Sequence, residues 1–243
     1  MPAKPITEAA VAVAAAVLLA GGCAYAALYP DSQIFGRVLV AGSDPDEIAL
    51  TYDDGPNPAA TERLLEVLAR HEARATFFLI GGFVRQRPDL ARAIAAAGHL
   101  IGNHTMTHPW LAWQSAARIQ EELAGCNAAI EDAIGAPVHY FRPPHGARRR
   151  YVLRAAEELG LTTVQWNVTA FDWNPHSAEE IAANVARGIV RNRQKGRASN
   201  VLLHDGGHLG LNAARVATVE ATDLLITRYR QGGARFVTPE AWI

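Results

Sequence analysis

The sequence predicts an α/β fold built on a parallel sheet. Three observations lead there. Short apolar strand patterns alternate with helical patterns from about residue 44 to the end of the 243-residue chain. One run, Ala75-Thr76-Phe77-Phe78-Leu79-Ile80, is continuously apolar, as expected for a parallel strand buried on both faces. Polar clusters follow five of the predicted strands, so a barrel would gather them on one rim.

The elements follow in order. Residues 9–28 form an uncharged apolar run long enough to cross a bilayer, which needs about 20 residues. Residues 1–28 are therefore expected to be a signal-anchor helix or a signal peptide. Ala24-Tyr25-Ala26 is a cleavage candidate, and Ala20-Gly21-Gly22-Cys23 resembles a lipidation site. A buried helix of the domain is the remaining reading. All but that last one put residues 44–243 outside the cytoplasm. Residues 29–43, with Pro30, Gly36, Gly42 and Ser43, read as a linker.

Glu47–Tyr52 is the first strand, and Asn57-Pro58 reads as an N-cap with proline at the first helical position. Leu64, Leu65, Val67 and Leu68 give the helix that follows an apolar face. After the second strand, a helix around Ala91–Ala97 leads to a third strand, His99–Gly102. Ser115 opens a long helix to about Ile134. Val138–Phe141 is strand-like, Tyr151–Leu159 helical, and Thr162–Val168 strand-like again. Ser177-Ala178-Glu179-Glu180 is a capping box for the next helix. Asn200–Leu203 is a strand, about Ala213–Arg230 a helix, and Ala234–Val237 a closing strand.

The formal net charge of −1 gives no basic face for nucleic acid. The run Arg148-Arg149-Arg150 reads as a solvated loop or helix start. Two cysteines, Cys23 and Cys126, are placed too differently to pair, and Cys126 reads as a small buried hydrophobe.

The chemistry concentrates in Thr51-Tyr52-Asp53-Asp54-Gly55-Pro56-Asn57. Aspartate is disfavoured inside strands, so two at a strand's end point to a site. Downstream, His104-Thr105-Met106-Thr107-His108 carries two histidines whose i, i+4 spacing predicts one face of a helical turn. One aspartate and two histidines make a three-ligand metal set with an open position, which leaves the other aspartate free as a base. A metal-dependent hydrolase follows. Zn²⁺ suits these ligands best, and Co²⁺ or Ni²⁺ would also fit.

Five segments in order, Thr51–Asn57, His104–His108, Arg142–Gly146, Asp172-Trp173 and Leu202–Asp205, resemble the motifs of the NodB-homology polysaccharide deacetylases, carbohydrate esterase family 4. The resemblance covers about residues 45–243. It implies a distorted (β/α) barrel of the NodB-homology type over residues 44–243, acting on acetylated polysaccharide. Asp54, His104 and His108 match the metal ligands, and Asp53 matches the base. Arg142 matches the arginine that holds the base, His204 the general acid and Asp172 its partner. Asp205 is nearer His204 in sequence, but adjacent strand residues face opposite ways. Trp173 and Leu202 match the walls of an acetyl pocket. His145 stands where tyrosine is usual, with its backbone N–H matching an oxyanion donor, and Thr169 stands where an aspartate is usual. His208 reads as a loop residue.

The resemblance implies N-acetyl removal from N-acetylglucosamine polymers such as peptidoglycan or chitin-like chains. The alternatives are O-acetyl removal from xylan or another glycan, and a non-catalytic carbohydrate-binding protein on the same fold. The expected partners are the glycan and, through the N-terminal run, a membrane, with no obligate protein partner.

Overall fold

The computed structural model describes residues 21–243. Within them β1 (Glu47–Gly55), β2 (Thr76–Leu79), β3 (Leu100–Asn103), β4 (Tyr140–Phe141), β5 (Thr162–Thr163), β6 (Val168–Thr169) and β7 (Ser199–His204) form one curled parallel sheet in the order β5-β4-β3-β2-β1-β7-β6. A short β8 (Arg235–Phe236) pairs with the start of β1. The helices α1 (Thr61–Arg70), α2 (Gly81–Gln86), α3 (Pro88–Ala96), α4 (Ala116–Ile134), α5 (Arg150–Glu158), α6 (Ala178–Gln194) and α7 (Val216–Gln231) lie in the connections.

The alternation of β1 sets the layers. Ile48, Leu50 and Tyr52 join the helix-side core, and the Tyr52 hydroxyl lies 2.9 Å from that of Thr222 on α7. Thr51 and Asp53 point the other way, into the barrel, as the two-residue strand period requires. In β2, Phe77 and Leu79 join the helix side, while Phe78 packs with Tyr140 and Val164 in a small interior cluster. Burying each of these large side chains contributes about 1.5–3 kcal/mol.

The helices start and stop as their sequence requires. Ser115 caps α4 by accepting from the Arg118 amide, and Gly135 ends it in the left-handed conformation that glycine tolerates. Ser177 and Glu180 complete a reciprocal capping box on α6. Asn57 caps the turn that leads into α1, its Oδ1 accepting from the Ala59 amide and its carbonyl from the Thr61 amide, although the regular helix begins only at Thr61. It also ties two loops, donating to the carbonyls of Asp205 and Ala213 at 2.8 Å each. The stretch expected as one strand over Thr162–Val168 is split into β5 and β6, the two edges of the sheet.

Residues 29–43 are packed against the barrel rather than free. The Leu39 amide donates to Thr163 O and its carbonyl accepts from the Gln165 amide, while Asn200 Nδ2 reaches Val40 O and the Ala198 amide reaches Gly42 O. This segment bridges the open side between the β5 and β7 regions, and Leu39 packs against the interior cluster. Residues 21–28 are helical and end against Arg148, whose amide donates to Ala27 O. The arginine run thus divides. Arg150 starts α5, but Arg148 is buried rather than solvated. Among the described residues no helix is long and apolar enough to cross a membrane. The first part of the expected apolar helix, residues 9–20, lies outside the described residues. Cys23 is exposed, and Cys126 is a buried thiol against Leu79 O.

Candidate active site

The C-terminal ends of β1, β3, β4 and β7 open into one cleft. A cavity of about 870 Å³ is lined by Asp53, Asp54, His104, His108, His145, Trp173, Leu202 and His204, among others. The side chains expected to share a site are therefore brought together, with Arg142 and Asp172 buried directly behind.

Two consecutive aspartates should face opposite sides of a strand. They share the cleft because β1 is irregular there. Asp53 pairs with Phe78 and Gly55 with Leu79, which leaves Asp54 as an extra residue, at φ +70°. Such a bulge re-aims a side chain. The turn is crowded from the far side, since a Cβ at Gly206 would lie 1.9 Å from the Asp54 carbonyl oxygen.

The histidine pair is delivered by a loop rather than a helical turn. Thr105 and His108 both have positive φ, at 69° and 59°. The loop is held by groups that the motif does not reveal. Asn103 Oδ1 accepts from the Thr105 amide, and the buried Glu122 on α4 accepts from the Thr107 amide and hydroxyl at 2.7 and 2.6 Å. No local pattern marks Glu122. It sits on the inner face of α4 among apolar residues, and a charge at a core position is the only signal that could have found it.

One ligand atom each from Asp54, His104 and His108 lies within 4.8 Å of the others, and all three residues are buried. Asp54 Oδ1 is 3.4 Å from His104 Nε2 and 3.2 Å from His108 Nε2. His104 Nδ1 donates to the Arg142 carbonyl at 2.7 Å, which leaves Nε2 with its lone pair free. Burial raises the Asp54 pKa, but the two histidines outweigh it and hold the carboxyl well below its ordinary range. Asp54 Oδ1 is buried without a hydrogen-bond partner. A carboxylate, two imidazoles and an unpartnered buried oxygen fit a divalent metal such as Zn²⁺. His208, in the loop after β7, stacks on His108 at 4.6 Å and places Nδ1 3.9 Å from Asp54 Oδ2.

Asp53 accepts from Arg142 Nη1 at 2.8 Å, and the same nitrogen donates to Thr51 Oγ1 at 2.7 Å. The guanidinium lies 4.2 Å from the Phe78 ring centre and is wholly buried. Burial lowers the Arg142 pKa and Asp53 opposes that fall.

Asp53 and His204 are register partners on β1 and β7, so the two groups stand side by side. His204 Nδ1 and Asp172 Oδ1 are 2.8 Å apart, and Asp172 Oδ2 accepts from the His204 amide and the Thr218 hydroxyl. Burial would lower the His204 pKa, but Asp172 above all raises it to about 9. Trp173 meets the His204 ring edge-on at 5.4 Å. Asp205 faces away, bonded to the Thr61 hydroxyl, and burial pushes its carboxyl up to about 7.

The two residues expected to depart from the family pattern, His145 and Thr169, have clear surroundings. Thr169 accepts from Trp166 Nε1 at 3.0 Å, and that indole lies 5.6 Å from the Arg142 guanidinium. His145 stacks on Trp110 at 4.0 Å, nearly parallel.

The chain belongs to the polysaccharide deacetylase family, whose model matches residues 41–164. It is 37% identical over 199 residues to a chitooligosaccharide deacetylase of Rhizobium leguminosarum, covering 79% of this chain and 90% of that one. It is 36% identical to a peptidoglycan-N-acetylglucosamine deacetylase of Bacillus cereus, covering 79% of this chain and 66% of the other. Among solved structures, the Bc1960 peptidoglycan N-acetylglucosamine deacetylase superposes with a TM-score of 0.76 at 31% identity, over 85% of this chain and 92% of that one.

Proposed function

We propose that the protein removes N-acetyl groups from N-acetylglucosamine-containing glycans, peptidoglycan or chitin-like, in a metal-dependent hydrolysis outside the cytoplasm. The observation that carries this reading is the pairing of Asp53 with His204 across β1 and β7, beside the Asp54, His104 and His108 set. Relatives named for chitooligosaccharide and for peptidoglycan support the substrate class. The uncharged run at residues 9–28 supports export or anchoring.

A divalent metal held by Asp54, His104 and His108 would polarise the acetyl carbonyl and lower the pKa of water towards about 7. Asp53 takes the proton of the attacking water. A free aspartate, with a pKa of about 3.9, is a weak base, so its orientation matters, and Arg142 secures that by its hydrogen bond to the carboxylate. The His145 amide is the candidate donor to the acetyl oxygen as charge develops there. His204, kept protonated by Asp172, delivers a proton to the leaving amine. Leu202 and Trp173 enclose the methyl group.

The test is acetate release by the full-length chain from an N-acetylglucosamine hexamer, after chelation and then with Zn²⁺ or Co²⁺ restored. Metal-restored release is expected. Release only from acetylated xylan would make the protein an O-acetyl esterase. Glycan binding without release under any metal would make it a carbohydrate-binding protein.

A further inference from the structure

Arg148 is a deeply buried charge outside the site, and among the described residues it has no acidic partner. It is 1% exposed, and among the described residues no carboxylate forms an ion pair with it. Four carbonyls satisfy it instead. Nη1 donates to Gly146 O at 3.0 Å, and Nη2 donates to Tyr29 O, Pro30 O and Ser32 O at 2.7, 3.2 and 2.8 Å. Its amide adds the bond to Ala27 O at 2.9 Å. With burial alone acting, the guanidinium pKa falls to about 10. Lysine could not reproduce this bridge, because an ammonium lacks the planar fork that spans two separated sets of acceptors.

The loop it grips has need of support. His145 and Gly146 both occupy the left-handed region, at φ 58° and 66°. For a residue with a Cβ that conformation costs about 1–2 kcal/mol, so the surroundings must enforce it. Gly146 also allows the close approach of Trp166, since a Cβ would lie 2.7 Å from that indole. On its other side, residues 27–32 are anchored independently. The Ser32 amide closes a turn within the segment on Tyr29 O, and Asp31 ties the segment to Arg197 at 3.1 Å. This segment lies before residue 41, where the family match begins.

We infer that Arg148 is a positioning residue that clamps residues 27–32 to the loop presenting His145, making this N-terminal segment part of the active-site architecture. The inference rests on the deacetylase reading for the role of His145, but the clamp itself does not. Arg148 touches neither the candidate metal ligands nor the Asp53–His204 pair, so its loss should leave metal binding intact. A misplacement of about 1 Å in the His145 amide is the size of error that costs a reaction 100-fold.

The experiment uses full-length Arg148→Gln, with Arg148→Lys in reserve should the first fail to fold. Amide hydrogen exchange is expected to quicken together in residues 143–148 and 27–32, while residues 104–108 keep their protection. Zn²⁺ affinity should match the wild type. The kcat on the N-acetylglucosamine hexamer should fall about 10- to 100-fold with KM within about threefold. Unchanged exchange at residues 143–148 would overturn the clamp. Quickened exchange with unchanged kcat, or a loss confined to KM, would overturn the positioning role. If the wild type itself releases no acetate, the deacetylase reading fails, and exchange alone then decides the clamp.

Discussion

The two arms of the site solve opposite problems with similar parts. On the base arm, Arg142 holds Asp53 from beneath, deep in the barrel and stacked on Phe78. On the acid arm, Asp172 holds His204 near the rim, with Thr218 supporting the carboxylate and Trp173 against the ring. One arm positions a carboxylate and the other keeps an imidazole protonated. Arg142 is a cation by its intrinsic basicity and His204 by its surroundings, and only His204 can titrate in the working range. The base arm should therefore respond to substitution in amplitude, and the acid arm in pH dependence.

Asp53→Asn removes the proposed base and leaves the proposed metal ligands alone. Activity should fall by roughly 10²- to 10⁴-fold with metal content unchanged, read by acetate assay and elemental analysis. A loss of metal in that variant would instead assign Asp53 to the metal. Arg142→Met strands a buried carboxylate. Breaking one partner of a buried pair costs about 3–5 kcal/mol, which urea denaturation of the metal-free protein would register. A stability within error of the wild type would contradict the description of this pair as buried and mutually dependent.

Asp172→Asn tests the acid arm. In the metal-free protein the folded pKa of His204 is raised to about 9, against an ordinary value of 6.5. The pair therefore stabilises the fold fully below pH 6.5, and that contribution is lost as pH rises through 9. The alkaline limb of activity should move to lower pH in Asp172→Asn, because His204 then loses its proton sooner. An alkaline limb that stays in place would remove His204 from the role of acid. The smallest effect is expected at Glu122→Gln. This change leaves every proposed ligand in place and loosens the loop between them, along with the Arg118–Glu122 ion pair, so Zn²⁺ affinity should fall about 10- to 100-fold. An unaltered affinity would show that the strained loop holds itself.

What the sequence revealed follows the same division. The strand-end groups were legible because strand period and register are regular, so Asp53 and His204 fall where the pattern puts them. The family resemblance together with strand alternation favours Asp172 over Asp205, and it is Asp172 that lies against the imidazole. The loop geometry was not legible. The bulge at Asp54 and the left-handed residues at Thr105, His108 and His145 have no residue signature, since none of them is glycine. The histidine spacing fits a helix as well as the loop that exists. Asn57 reads as a helix cap and its Oδ1 does accept from the Ala59 amide, but the bonds of its Nδ2 to two distant carbonyls are not visible in the local pattern. The supports at Glu122 and Arg148 depend on contacts distant in sequence or outside the motifs, so no local pattern announces them. Gly36, Gly42 and Pro30 read as breakers of a linker, whereas the contacts that bind that linker to the barrel come from carbonyls, which every residue has.

If Asp54, His104 and His108 hold the metal on which deacetylation depends, a Zn²⁺ titration of chelated full-length protein will show it, with acetate release from the N-acetylglucosamine hexamer followed in parallel with bound metal. Activity is expected to rise with bound Zn²⁺ to a plateau at one equivalent in the wild type, with neither binding nor release in Asp54→Ala. Acetate release that persists in the chelated protein, or that survives in Asp54→Ala, would remove the metal from this site.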